Sequence, residues 1–152
     1  LMESESYPIG SLRLYEDCVK NILPGKGSRE RMKKRIEAEL GHCKISSCGS
    51  SLACVGGTAR AVLKLGRRRY HLPDSCRTLS TEQLESLYDD LCRGDRRAAE
   101  LILKIAPERI HTLLPGMSIL CFIAQNTKVS QMTVSKYGVR EGFLCQRIQT
   151  QL

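Results

Sequence analysis

The sequence predicts an α/β fold in which helices flank a mixed sheet. Short apolar runs at residues 52–55 and 132–134 have the length and composition of strands. Between them lie segments whose apolar residues recur at helical spacing, and strands separated by helices indicate an α/β layer. A chain of 152 residues, of which 41% are hydrophobic, suffices for one core. We therefore predict a single domain over residues 1–152.

A strand is the first predicted element, because Leu12 and Leu14 alternate with polar residues over residues 12–15. A turn at residues 24–28 should then open a strongly basic helix. Ser28 is its predicted N-cap, and its apolar face repeats every four residues, at Met32, Ile36 and Leu40.

The next predicted unit is a strand, a glycine turn and a helix. The strand at residues 52–55 ends at Gly56 and Gly57, and a helix follows over residues 59–65. Gly66 is expected to end this helix. A strand that runs through glycine into a helix is the part of the sequence with the clearest chemical potential.

Two helices should follow this unit. The first begins at a cap formed by Ser80 or Thr81 and runs to about Cys92. Gly94 separates it from the second, whose apolar face is formed by Ala98, Leu101, Ile102 and Ile105.

The last third of the chain should hold a long helix, a strand and a terminal helix. The long helix begins at Pro107 and continues to Ile123, with a kink at Pro115 because proline lacks the amide that would bond to residue 111. Gly142 lies inside the terminal helix, where it indicates close packing. Four apolar residues of that helix are expected to face inward: Val139, Phe143, Leu144 and Ile148.

The formal net charge of +8 favours an anionic partner. The basic run at residues 67–69 permits two interpretations, a nucleic-acid patch or a solvated helix end, and we favour the second because cations suit a helix C-terminus. Only 5% of the residues are aromatic, so a base-stacking platform is not indicated. Nucleic acid is therefore not the expected partner.

A membrane association is not expected either. The longest apolar stretch, residues 110–124, is interrupted by polar residues and is shorter than the roughly 18 to 20 residues of a span. The first residues are acidic and lack the pattern of a secretory signal, so we predict a cytoplasmic protein. The eight cysteines form no C-x-x-C pair and have no matching histidine spacing, which favours reduced thiols.

The run Val55-Gly56-Gly57-Thr58 is the candidate anion site. Glycine removes the Cβ, and the start of the following helix supplies unpaired amides and partial positive charge. Arg60 falls in the first helical turn, where the dipole disfavours a cation by a few tenths to about 1 kcal/mol. A bound phosphate would remove that conflict. The alternatives are a simple tight turn and an Arg60 side chain extended into solvent.

Six sequence blocks resemble a known family. They read YPIGSLRL, VGGTARA, LSTEQL, PERI, LPGMSIL and VSKYGVREG, and they occupy residues 7–14, 55–61, 79–84, 107–110, 114–120 and 134–142. In this order, they resemble the second, C-terminal lobe of the exopolyphosphatase and guanosine pentaphosphate phosphohydrolase (Ppx/GppA) family. The resemblance covers essentially the whole chain.

The resemblance implies an actin-like fold of two ribonuclease-H-like lobes, with this lobe lacking its first strands. The full-length enzyme would hydrolyse the terminal phosphoanhydride of inorganic polyphosphate or guanosine pentaphosphate with the help of magnesium. The catalytic base and most magnesium ligands would belong to residues outside this chain, so the chain alone should be inactive. The residues predicted to bind substrate phosphate are Gly56, Gly57, Thr58 and Arg60.

The remaining charged residues of these blocks are predicted to be scaffold: Arg109, Arg140 and Glu141. An N-terminal lobe of the same enzyme is the implied partner, and an exposed sheet edge at residues 12–15 would permit a homodimer. A non-catalytic module that binds polyanions or nucleotides is the alternative function.

Overall fold

The computed structural model describes residues 4–42, 51–94 and 96–150. The helices are α1 (Ser11–Cys18), α2 (Lys26–Leu40), α3 (Gly57–Tyr70), α4 (Thr81–Cys92), α5 (Arg96–Ile105), α6 (Leu113–Thr127) and α7 (Val139–Thr150). The strands are β1 (Ser51–Cys54), β2 (Thr78–Ser80) and β3 (Gln131–Val134), and a 3-10 turn spans Pro107–Arg109. The predicted α/β class is thus confirmed.

The described strands form a mixed, three-stranded sheet in the order β1-β3-β2. β1 runs parallel to β3, with Cys54 opposite Val134, and β2 runs antiparallel to β3, with Leu79 opposite Met132. The sequence did not indicate β2, because this strand has three residues and buries only Leu79. Since β1 and β3 are parallel, their carboxyl ends meet at one edge of the sheet.

The main core lies between this sheet and helices α3, α4 and α6. Among its fully buried side chains are Val62, Leu65, Leu79, Leu84, Leu114 and Met117. A second cluster joins α1 and α2 to the other side of α6, and it contains Leu14, Met32, Ile36, Ile119 and Phe122. The apolar face predicted for α2 is therefore confirmed, and α6 belongs to both clusters.

The predicted strand at residues 12–15 is wrong, because these residues lie in α1. Leu14 and Cys18, one helical turn apart, are buried against α2 and α6, while Leu12 is 57% exposed. Two leucines separated by one residue fit a strand locally, and the tertiary packing selects the helix instead. The predicted homodimer therefore has no sheet edge at residues 12–15 to use.

Three predicted helix boundaries and one predicted kink also differ from the structure. Ser28 lies within α2, whose N-cap is Gly25. Gly66 lies inside α3, where an added Cβ would come within 2.7 Å of Leu79 Cδ1, so the glycine permits close packing of α3 on β2. The long helix predicted from Pro107 begins at Leu113, because Pro107–Arg109 form a 3-10 turn. Pro115 therefore lies in the first turn of α6, where a backbone amide needs no partner, so it causes no internal kink.

The cap of α4 is formed as the sequence predicts. Ser80 Oγ accepts a hydrogen bond from the Gln83 backbone N–H at 3.0 Å, and Gln83 Oε1 accepts one from the Ser80 N–H at 3.0 Å. This reciprocal pair satisfies two amides at the start of the helix. Among the described residues, no helix combines the length and apolar character that a membrane crossing requires.

The inward-facing residues predicted for α7 are exposed in the structure. Val139 is 80% exposed, and Phe143, Leu144 and Ile148 are each between half and two thirds exposed. The spacing of apolar residues indicates a face that suits burial, but no element of the described residues covers it. The close packing predicted at Gly142 is also wrong, since nothing in the described part of the chain beyond the local backbone of α7 and the neighbouring residues comes within 4 Å of an added Cβ.

We expect Gly142→Ala to stabilise α7 rather than to disrupt it. Alanine stabilises a helix interior by up to about 1 kcal/mol relative to glycine. The added methyl group would not clash, because the space around it is open. Amide hydrogen exchange within α7 should slow about fivefold. Faster exchange would contradict the open environment and indicate a packed partner at this position.

Candidate functional site

The glycine turn between β1 and α3 requires glycine at its first position. Gly56 has φ 127° and ψ 174°, a combination that side chains rarely permit. Apart from its neighbours in the chain, no described residue has an atom within 4 Å of a Cβ added to Gly56, so this side of the turn is open. A ligand atom can therefore approach the backbone closely at Gly56.

The turn presents the amide end of α3 at the carboxyl edge of the sheet. Gly56 is the N-cap and has no side chain to offer, and no side chain of the described residues caps this end. The first amides of a helix have no partner within the helix, and they carry its partial positive charge. The N–H groups at Gly57 and Thr58 are therefore suited to an anion.

Arg109 is the residue of this site that the sequence did not indicate. A Cβ added to Gly57 would lie 2.6 Å from Arg109 Cζ, so the guanidinium lies directly against the turn. Arg109 reaches this place from the 3-10 turn, where its N–H donates to Ala106 O at 2.9 Å. The prediction of Arg109 as scaffold rested on local sequence, which does not show this long-range contact with Gly57.

Thr58 packs against α6 through its side chain. A Cβ added to Gly116 would lie 2.5 Å from Thr58 Cγ2 and 3.2 Å from Ser11 Cβ. The glycine in α6 thus leaves the space that the threonine methyl and the start of α1 occupy. This contact fixes the first turn of α3, and it gives the Thr58 side chain a packing role beside any role of its amide.

Arg60 projects from the first turn of α3 into solvent, near a carboxylate of α7. Hydrogen bonds from the N–H groups of Glu141 itself and of Gly138 lower the pKa of the Glu141 carboxyl, and the charges of Arg60 and Arg140 lower it further. The bond from Gly138 N to Glu141 Oε2 is 2.7 Å long. Glu141 thus offsets part of the unfavourable dipole interaction of Arg60 that the sequence indicated.

The segment that follows β3 lies beside the glycine turn. The Ser135 N–H donates to Cys54 O at 2.9 Å, which extends the parallel pairing by one residue. Lys136 follows at the same edge of the sheet and is exposed, with its Nζ 5.6 Å from the centre of the Tyr137 ring. The edge therefore gathers cationic side chains from α3, the 3-10 turn and the segment after β3.

The described residues at this edge suit binding rather than bond cleavage. Burial raises the pKa of the Cys54 thiol to about 11, so this thiol stays protonated near neutral pH and is a poor nucleophile. Cys18, Cys54, Cys76, Cys92, Cys121 and Cys145 are free thiols, while Cys43 and Cys48 lie outside the described residues. The arrangement provides amides and guanidinium groups for an anion.

The described residues contain no cluster of side chains of the kind that holds a metal ion by itself. Within residues 4–42, 51–94 and 96–150, no group of three or more His, Cys, Asp or Glu side chains is arranged to hold a metal ion. Magnesium commonly takes its oxygen ligands from waters and substrate phosphates together with one or two carboxylates, so such a cluster is not required for it. Magnesium stays a prediction from the family resemblance, with its ligands expected mostly outside this chain.

Solved structures with the same fold include members of the Ppx/GppA family. A crystal structure of the Aquifex aeolicus member of the Ppx/GppA family is similar with a TM-score of 0.79 and 21% identity over 98% of this chain and 49% of that chain. A structure from a study of the Aquifex aeolicus PPX-GPPA enzyme is similar with a TM-score of 0.74 and 22% identity, over 94% of this chain and 48% of that chain. The crystal structure of an exopolyphosphatase-like protein is similar with a TM-score of 0.64 and 17% identity, over 88% of this chain and 46% of that chain.

These similarities show an α/β fold shared with such proteins, and the sequence identifies the family. The sequence profile of the Ppx/GppA phosphatase family matches residues 1–151, so the chain belongs to this family. The chain spans about half the length of the solved structures that it matches. A comparison with curated proteins found no match.

We expect Gly57→Ala to displace Arg109 while the fold is retained. The added methyl group would overlap the guanidinium, which is the mobile end of a long side chain, so stability should change little. The affinity for tripolyphosphate, measured by isothermal titration calorimetry, should fall several-fold. Gly27→Ala is the matched control, because its Cβ would meet Arg31 Nη1 at an ordinary 3.5 Å. Equal affinities of the two variants for tripolyphosphate would contradict a role of the Arg109 contact in anion binding.

Proposed function

We propose that this chain is the C-terminal lobe of a phosphatase and holds the phosphate chain of inorganic polyphosphate or guanosine pentaphosphate. In the full-length enzyme, residues outside this chain would activate the water that attacks the terminal phosphoanhydride. The observation that carries the proposal is the Arg109 guanidinium against Gly57, at the uncapped amide end of α3. Membership of a phosphatase family supports the reaction class.

The turn and Arg109 would divide the binding of a phosphoryl group between them. Backbone N–H groups at Gly57 and Thr58 would donate to non-bridging oxygens, as helix N-termini do for phosphate. The planar guanidinium of Arg109 offers paired N–H donors that match two oxygens of one phosphoryl group. Arg60 would add a second positive charge from the exposed side. Positioning and charge stabilisation are the main requirements of phosphoryl transfer.

The same proposal includes the finer features that the family resemblance implies. The chain would be one domain, a ribonuclease-H-like lobe of an actin-like enzyme, and its partner would be the N-terminal lobe. When bound, magnesium would neutralise phosphate charge at the cleft between the lobes. The cytoplasm, where nucleotides are handled, is the expected location.

Replacing Arg109 provides the direct test. A hydrogen bond to a charged group contributes about 1.5–3 kcal/mol, so Arg109→Ala should weaken tripolyphosphate binding by about tenfold or more. Arg109→Lys keeps the charge but loses the planar fork, and it should restore only part of the affinity. Titration calorimetry at constant ionic strength measures both effects.

Arg97→Ala is the matched control, because Arg97 is an exposed arginine on α5. If it weakens binding as much as Arg109→Ala, the effect is one of net charge and the proposal fails. The unmodified chain should bind polyphosphate without releasing phosphate, and release at the rate of a full enzyme would contradict the assignment of catalysis to other residues. A full-length parent that binds but never hydrolyses would instead be a polyanion-binding module.

A further inference from the structure

The outer face of α3 is basic along its length. The exposed positions include Arg60, Lys64, Arg68 and Arg69, and the helix contains no aspartate or glutamate. Arg60, Lys64 and Arg68 follow one another at four-residue spacing, so they lie within about 80° of arc and span about 12 Å. This basic face begins at the glycine turn and leads away from it.

Of these four cations, only Arg69 forms an ion pair among the residues that the structure describes. Arg69 pairs with Asp90 at 3.0 Å, but neither Lys64 nor Arg68 forms an ion pair within 4.0 Å in the described ranges. Both side chains are exposed. Their charges are therefore available to a ligand, at little cost in desolvation.

A cleft of about 480 Å³ lies beside the C-terminal end of this face. Lys64, Arg68 and His71 contribute to its walls, together with Ile105 of α5 and the acidic Asp74. Arg67 is held at the side, because its Nε donates to Cys76 O at 2.8 Å. Three of the seven residues that line the cleft are therefore cationic, namely Lys64, Arg67 and Arg68, against the single acidic residue Asp74.

The negative end of the α3 dipole is partly neutralised at this cleft. His71 adopts the left-handed conformation with φ 53°, and its N–H donates to Arg67 O. The Leu72 N–H donates to the same carbonyl at 3.0 Å. Satisfied carbonyls repel an anion less, so the basic side chains determine the local charge.

We propose that the outer face of α3 binds the distal phosphoryl groups of a linear polyphosphate whose end is held at the glycine turn. We define the distal track as Lys64, Arg68 and His71. This inference rests on the proposed function of the turn, and it extends that function to the choice of substrate. A chain that follows α3 from Arg60 to the cleft must contain many linked phosphoryl groups.

The distal track favours a long phosphate chain over a guanosine polyphosphate. The longest linked run in guanosine pentaphosphate is a triphosphate, which is shorter than the roughly 12 Å of helix between Arg60 and Arg68. Nucleic acid fits the track less well, because a single strand needs stacking surfaces for its bases. The adjacent Tyr70 is half-buried, and its hydroxyl donates a hydrogen bond to Gln83 O at 2.8 Å.

The test compares two phosphate ligands on one pair of variants. Lys64→Gln combined with Arg68→Gln removes two charges from the distal track and leaves Arg60 and Arg109 in place. We expect the affinity for long-chain polyphosphate to fall about tenfold, since each exposed contact contributes modestly, while the affinity for tripolyphosphate changes less than about twofold. Lys64→Arg combined with Arg68→Lys should retain the wild-type preference, because the track reads charge.

Lys20→Gln combined with Lys34→Gln is the matched control, since both lysines are exposed and the change in net charge is the same. An equal loss in this control would overturn the proposal, and so would an equal loss for both phosphate ligands in the track variant. Duplex DNA that displaces polyphosphate with similar affinity would also overturn it. If wild-type chain binds neither phosphate ligand, the proposed function of the turn fails as well, whereas tight tripolyphosphate binding without a long-chain preference refutes the track alone.

Discussion

The close approach of α6 to α3 is the contact on which the site depends. α6 packs against α1, α2, α3 and α4, and it separates the two hydrophobic clusters while contributing to both. At Gly116, the absence of a side chain lets Thr58 and Ser11 reach the helix backbone. Because Thr58 lies in the first turn of α3, this contact fixes where the amide end of α3 points, and so fixes the glycine turn.

The parallel pairing of β1 with β3 provides the second constraint. It brings the glycine turn and the segment after β3 to the same edge, where the Ser135 amide bonds to the Cys54 carbonyl. Arg109 reaches this edge from the 3-10 turn that precedes α6. The candidate site therefore draws on parts of the chain that are far apart in sequence, and only the pairing of the strands and the packing of α6 bring them together.

Local signals explain which features the sequence predicted. The cap at Ser80 and the apolar faces of α2 and α4 each depend on residues that are close together in the sequence. The strand-turn-helix unit around Gly56 is equally local. Leu12 and Leu14 fit the alternation of a strand, but these residues form a helix because it buries Leu14 and Cys18 against α2 and α6. The contact of Arg109 with Gly57 and the exposure of Phe143 depend on tertiary structure, so no local pattern could indicate them.

The candidate site combines groups that are chemically suited to an anion with few groups that could cleave a bond. Amides at the start of α3 and the Arg109 guanidinium supply directional donors, while Lys64 and Arg68 supply exposed charge further along the same helix. The raised pKa of the buried Cys54 thiol removes the nearest thiol from nucleophilic chemistry at neutral pH. Such a division suits a lobe that positions a phosphate chain for reacting groups located elsewhere.

The most direct measurement is a titration of the isotopically labelled chain with tripolyphosphate, followed by the backbone amide resonances in nuclear magnetic resonance spectra. Amides that donate to a phosphate shift strongly, because the hydrogen bond polarises the N–H group. The account predicts the largest shifts at Gly57 and Thr58, together with the side-chain Nε–H of Arg109. Shifts centred elsewhere, with the glycine turn unchanged at saturation, would contradict it.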